Sequence, residues 1–172
     1  VRYGADTSRR RFRAPVPPEP WLGVRDALEF GPVAPQQTGQ AWTIGEDCLH
    51  LNIWTPGLDD GARRPVLVWF HPGAYSSDTS NRPEVDGARL SRRGDVVVVT
   101  VNHRLNAFGF LYLAEIGGAE YADSGNAGML DLVLALRWVR DHVARFGGDP
   151  GNVTIFGQSG GGAKCATLMA MP

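Results

Sequence analysis

Val153-Thr154-Ile155-Phe156-Gly157-Gln158-Ser159-Gly160-Gly161 is a β-rich run that ends on a glycine-lined turn and delivers one serine to the start of a helix. A GxSxG turn of this kind holds its serine in a strained backbone conformation at the top of a sheet, as a nucleophile elbow. Gly157 and Gly161 allow neighbouring backbone to pass where any Cβ would clash. Ser159 is therefore the candidate nucleophile. A phosphate-binding loop is the competing reading of a glycine-rich strand-to-helix turn, and its register fails. Ala163 separates Gly162 from Lys164, and Cys165 stands where a hydroxyl ligand for magnesium is required.

Working outward, Gly147-Gly148-Asp149-Pro150 precedes the strand and stops a long helix. That helix is predicted from about Met129 to Phe146, because Met129, Leu132, Leu136, Val139, Val143 and Phe146 repeat at steps of three and four. Cys48 to Trp54 alternates apolar and polar side chains and reads as a half-buried strand. Val66 to Phe70 and Val96 to Val101 are continuously apolar, which suits strands covered on both faces of a mostly parallel sheet. Val85 to Arg93 supplies a crossover helix, and Gly160 to about Met169 forms the helix after the elbow. Strands alternating with helices predict an α/β fold with a mostly parallel central sheet and flanking helices. Residues 1–45 carry much Pro, Gly and Arg without periodicity and read as an irregular wrapping segment, whereas 46–172 hold the sheet and helices.

The strand Val66 to Phe70 runs directly into His71-Pro72-Gly73-Ala74-Tyr75, a glycine-bearing loop at the end of the sheet where the elbow emerges. Acyl transfer places negative charge on a former carbonyl oxygen, so fixed N–H donors there stabilise the transition state more than the substrate. Gly73 and Ala74 can donate, whereas Pro72 has no N–H. Gly160, following the nucleophile at the start of its helix, is the third expected donor of this oxyanion hole.

Composition excludes several other classes. At 172 residues, 43% hydrophobic and 20% charged, the chain has the make-up of an ordinary globular protein. Its net charge of −1, with signs interspersed, argues against nucleic acid or an anionic membrane as partner. No stretch approaches the roughly 20 apolar residues of a membrane-spanning helix. Cys48 and Cys165 are too few for a disulfide framework and read as free thiols, which favours a reducing, cytoplasmic setting.

Taken together, these motifs resemble the type-B carboxylesterases, relatives of the cholinesterases, of the α/β-hydrolase fold. Glu46-Asp47-Cys48-Leu49-His50-Leu51-Asn52-Ile53-Trp54-Thr55-Pro56 looks like one family signature. Phe146 to Asp149 with Val153 to Gly161 looks like the other. Between them lie the HGGG-like loop at His71, the run Asn102 to Phe110, and Gly125 to Asp131. The resemblance implies a serine carboxyl-ester hydrolase acting on a small-molecule ester through an acyl-enzyme, with no cofactor and no metal. It assigns Ser159 as nucleophile with Gly73, Ala74 and Gly160 as oxyanion donors, and places Tyr75 beside the acyl site. A noncatalytic adhesion or binding member of the same fold is the alternative.

Departures from the family pattern are informative. Gln158 stands where Glu is common, which removes a negative charge beside the site. His50 and His103 occupy positions more often held by Tyr, and Pro72 replaces the first glycine of the loop. Cys48 lacks the upstream partner found in many relatives and is expected to be unbridged. The resemblance also implies two ion pairs, Arg11 with Glu46 and Arg104 with Asp149.

A serine hydroxyl needs a base, and in this fold an acidic residue and then a histidine follow the nucleophile. Thirteen residues follow Ser159, and none is acidic or histidine. His71 is the only histidine expected near Ser159, and its family counterpart shapes the loop. The expectation is an N-terminal third of a hydrolase domain, starting inside the family pattern, inactive alone and completed by the remainder of the domain.

Overall fold

The structure is a computed structural model that describes residues 1–171. Four strands form one mixed sheet: β1 (Leu51–Trp54), β2 (Arg64–Phe70), β3 (Val97–Val101) and β4 (Gly148–Gly157). Their spatial order is β1-β3-β2-β4, with β1 antiparallel to β3 and β2 parallel to both β3 and β4. The chain leaves β2 through α1 (Ala88–Gly94) to reach β3 on one side. It then returns through α4 (Ala127–His142) to lay β4 on the other side of β2. The carboxyl end of β2 is thus a point where the winding reverses, and loops leaving such an end diverge to open a crevice. Phe70, the last residue of β2, pairs with Gly157, the last residue of β4. This register brings the His71 loop and the elbow to one level of the sheet.

The core lies between α4 and one sheet face. Met129, Leu132, Ala135 and Val139 of α4 pack with Val66, Val68 and Phe70 of β2 and Val97, Val99 and Val101 of β3. Period-2 alternation puts Leu67 and Trp69 on the opposite face, where they remain half-buried. Full cover on both faces, expected from the apolar runs, holds for β3 and fails for β2. The reason is that α1 packs over β3, with Gly87 against Val98, and leaves Trp69 and Phe156 to pack edge to face at 5.1 Å.

Several boundaries shift. The long helix starts at Ala127 and closes with a 3-10 turn over Val143–Phe146, ended by Gly147 in the left-handed region. The crossover helix splits into a 3-10 turn over Pro83–Val85 and α1, because Asp86 and Gly87 interrupt it. Regular pairing of β1 begins only at Leu51: His50 instead makes an isolated bridge to Arg2, and Cys48 and Leu49 are both fully buried. Residues 1–45 contain two isolated bridges and no helix or longer strand. Two further short helices, α2 (Asn106–Phe110) and α3 (Ala114–Gly117), follow β3, and α5 (Gly160–Ala170) follows β4. No helix among the described residues is long and apolar enough to cross a membrane.

Of the two expected ion pairs, Arg11 does meet Glu46, with Nε to Oε2 at 2.7 Å. Arg104 does not meet Asp149. Its guanidinium instead grips Asp131 of α4, with Nη2 to Oδ1 at 2.6 Å and Nε to Oδ2 at 2.9 Å, while its backbone N–H also donates to Oδ2. Asp149 pairs with Arg63 at the surface, at 2.9 Å. The physical reason is burial: Arg104 is 1% exposed and Asp131 0%, so each needs the other, whereas Asp149 sits at the half-exposed start of β4.

Candidate active site

Ser159 joins β4 to α5 with φ 55° and ψ −120°, a left-handed conformation that a serine adopts only under constraint. The side chain is exposed. Two hydrogen bonds lock the turn: Gly161 N–H donates to the Gln158 carbonyl at 2.9 Å, and Ala163 N–H to the Ser159 carbonyl at 3.0 Å. Gln158 is exposed, and its side chain makes no hydrogen bond among the described residues.

The loop from β2 lies against this turn. A Cβ built on Gly160 would sit 2.5 Å from both N and Cα of Ala74, so the first residue of α5 is in backbone contact with the loop. Gly73 has φ +83° and Ala74 φ +55°, a constrained backbone at two successive positions of the loop. Neither Gly73 nor Ala74 donates its N–H to an acceptor among the described residues. Gly160 opens α5, where an N–H has no intrahelical partner. Two of the three expected donors, Gly160 and Ala74, are therefore in contact next to Ser159, and among the described residues no acceptor takes the N–H of Gly73 or Ala74.

The loop is pinned from below. The Gly73 carbonyl accepts N–H bonds from Ser76 and Ser77, both at 3.1 Å. Asn106, itself at φ +55°, donates its N–H to the Tyr75 carbonyl at 2.9 Å and its Nδ2 to the Ser76 carbonyl at 2.8 Å. Tyr75 stands edge-on to Phe110 at 5.0 Å and, with Ala74, Asn106, Phe110 and Leu111, borders a largely apolar hollow beside the site.

His71 makes no hydrogen bond to Ser159, its buried Nε2 having no partner among the described residues. Its ring is 1% exposed, and Nδ1 lies 2.8 Å from the Pro72 carbonyl, which can only accept, so Nδ1 carries the proton. Burial above all, with the nearby Lys164 charge, pulls its pKa down to about 3. The ring stacks on His103 at 4.9 Å, and His103 repeats the arrangement with Nδ1 2.7 Å from the Arg104 carbonyl. Burial holds His103 well below the usual imidazole range. These two neutral rings form a floor under the loop. His50 pairs with no acid or nucleophile, and His142 is exposed on α4 against Trp138.

Asn106 and Lys164 are site residues that sequence reasoning missed. Lys164 carried a signal, being the single lysine among 17 basic residues and one turn beyond the elbow. Asn106 carried none, since its role depends on a left-handed backbone that composition does not reveal.

With this geometry in hand, a model of the carboxylesterase family matches residues 1–172. The chain is 44% identical over 169 residues to para-nitrobenzyl esterase of Bacillus subtilis (strain 168), covering 94% of this chain and 34% of that protein. It is 44% identical over 172 residues to phenmedipham hydrolase of Pseudarthrobacter oxydans, covering 94% and 33%. Its fold superposes on a carboxylesterase of Geobacillus stearothermophilus with TM-score 0.94 and 48% identity, covering 100% of this chain and 36% of that one. The chain spans about a third of the length of these relatives.

Proposed function

The chain belongs to the carboxylesterase family and has its α/β-hydrolase fold, and on that premise we propose that the whole protein is a serine carboxyl-ester hydrolase. The observation that carries the proposal is the contact of Gly160 with Ala74, which lays the loop bearing Gly73 and Ala74 against the turn that carries the exposed Ser159. In this reading Ser159 Oγ attacks the ester carbonyl while its proton passes to a histidine base. The charge that develops on the carbonyl oxygen is met by the amides of Gly73, Ala74 and Gly160. Collapse of the adduct expels the alcohol, which takes the proton from the base, and leaves an acyl-enzyme on Ser159. Water then attacks the acyl carbon, gives its proton to the same base, and releases the acid and the serine.

The base and its orienting carboxylate come from the remainder of the domain. His71 is engaged and neutral, and no acid or histidine follows Ser159 in this chain. The same remainder would cover the apolar side chains left open here, such as Leu22, Leu28 and Ile116. The 172 residues alone are accordingly inactive. Tyr75 and the hollow beside it form part of the wall that receives the ester's acyl or alcohol group.

The test is fluorophosphonate labelling of the whole protein, with Ser159→Ala as control. Stoichiometric labelling at Ser159, lost together with ester hydrolysis in the variant, is the expected result. Full hydrolysis by a correctly folded Ser159→Ala protein would sink the proposal.

A further inference from the structure

Lys164 is 0% exposed, lies on α5 five positions beyond Ser159, and donates from Nζ to the carbonyl oxygen of His71 at 3.0 Å. Its Nζ also lies 5.5 Å from the centre of the Tyr75 ring. One buried cation therefore touches both ends of the segment His71 to Tyr75, whose middle residues are Gly73 and Ala74. A buried ammonium is costly, and a methionine of similar reach would fill the space without that cost. What the charge gains here is a charge-assisted bond to a loop carbonyl and the face of an aromatic ring.

We propose that Lys164 is the positioning residue of the oxyanion loop, a cation on the nucleophile's own helix that clamps His71 and Tyr75 so that the Gly73 and Ala74 amides stay aimed at the developing oxyanion. The inference rests on the ester-hydrolase reading of Ser159.

The surroundings fit a single-acceptor clamp. His71 and His103 both hold their protons on Nδ1, so their buried Nε2 atoms have no donor and leave the cation unopposed by positive charge. Asp78, 8% exposed, supplies the nearest carboxylate field, although its Oδ1 is already held by Thr79 N–H at 2.7 Å and Arg82 Nε at 2.5 Å. The Cys165 thiol is the remaining titratable neighbour. Burial pulls the Lys164 pKa down to about 8, opposed by Asp78 and Cys165. The clamp consequently loses its charge, and the loop its aim, as pH rises through that value.

The experiment measures kcat per fluorophosphonate-titrated site in the whole protein, wild type and Lys164→Met, with p-nitrophenyl butyrate from about pH 6 to about pH 9.5. In the wild type, kcat should fall several-fold above about pH 8 with KM unchanged. In Lys164→Met, kcat should be about ten- to hundred-fold lower at neutral pH with little change in KM, and the alkaline fall should vanish. A variant with wild-type kcat, or with the alkaline fall retained, overturns the proposal. If Lys164→Met does not fold, the wild-type profile decides: a kcat flat to about pH 9.5 overturns it. Failure of the ester-hydrolase reading is distinct, because the wild type would then take no label at Ser159, and this inference would fall with it.

Discussion

Gly161 packs on Phe70 so closely that a Cβ on Gly161 would overlap the Phe70 carbonyl oxygen. The helix that follows the candidate nucleophile is thereby seated on the last residue of β2, where the candidate oxyanion loop begins. Backbone meets backbone here, so no side-chain rotation can relieve an added methyl. Gly161→Ala should destabilise the fold by about 3 kcal/mol or more and strip labelling from Ser159. Denaturant midpoints and fluorophosphonate labelling report both effects, and a variant matching the wild type in each refutes this account of the seat.

Arg104 and Asp131 form an ion pair with almost no exposure, at 2% and 0% for their side chains. Removing one partner leaves a buried charge uncompensated, so Asp131→Ala should cost about 3–5 kcal/mol. Replacing both by apolar residues, as in Arg104→Met with Asp131→Leu, should recover much of that loss. Arg63→Ala, which breaks the exposed pair to Asp149, should leave the unfolding midpoint unmoved. Equal effects of Asp131→Ala and Arg63→Ala in urea titrations would contradict the ranking.

The ranking also marks where sequence reading stopped. The elbow was legible because Gly157, Ser159 and Gly161 stand at fixed offsets between a β-rich run and a helix, and local chemistry dictates that turn. The partner of Arg104 was not, since Asp131 sits among the apolar positions of α4 and nothing local distinguishes a buried carboxylate from a solvated one. That the loop and the elbow leave the same end of the sheet was legible from strand alternation, but the adjacency of β2 and β4 and their register were not, since periodicity does not supply strand order. Lys164 was visible as a composition anomaly, but its burial under the loop depends on how α5 crosses β2.

Cys48 is 0% exposed, and burial lifts its thiol well above the usual cysteine range. Because the thiolate is the reactive species, alkylation needs both access and ionisation, and the native fold denies both. Iodoacetamide at about pH 8 should modify Cys48 only at the rate of unfolding, many-fold slower than a free thiol peptide. Peptide mass spectrometry of timed samples would show this, and prompt modification of Cys48 in the folded protein would contradict the packing around it.

Three histidines of this chain make its fold sensitive to acid. Burial pulls His50 down to about 4 and His71 to about 3, and holds His103 well below its ordinary value. Between these folded values and the unfolded value of 6.5, the unfolded chain binds more protons than the native one. Stability therefore rises with pH across this window, is fully present above about pH 6.5, and is lost as pH falls towards 4. A group contributes at most about 1.4 kcal/mol per pH unit between its folded and unfolded values, and all three act in the same direction. At lower pH, Asp47 adds a loss of the same sign, because its hydrogen bond from Arg2 holds its pKa below the usual carboxylate value. Denaturant midpoints of the whole protein at pH 7, 6 and 5 should fall as pH falls, with these imidazoles adding to the proton uptake on unfolding. His103→Phe, which keeps a flat ring on His71, should reduce that uptake. Stability that is level from pH 7 to pH 5 would mean that these imidazoles titrate in the native state, and the neutral floor beneath the loop would have to be abandoned.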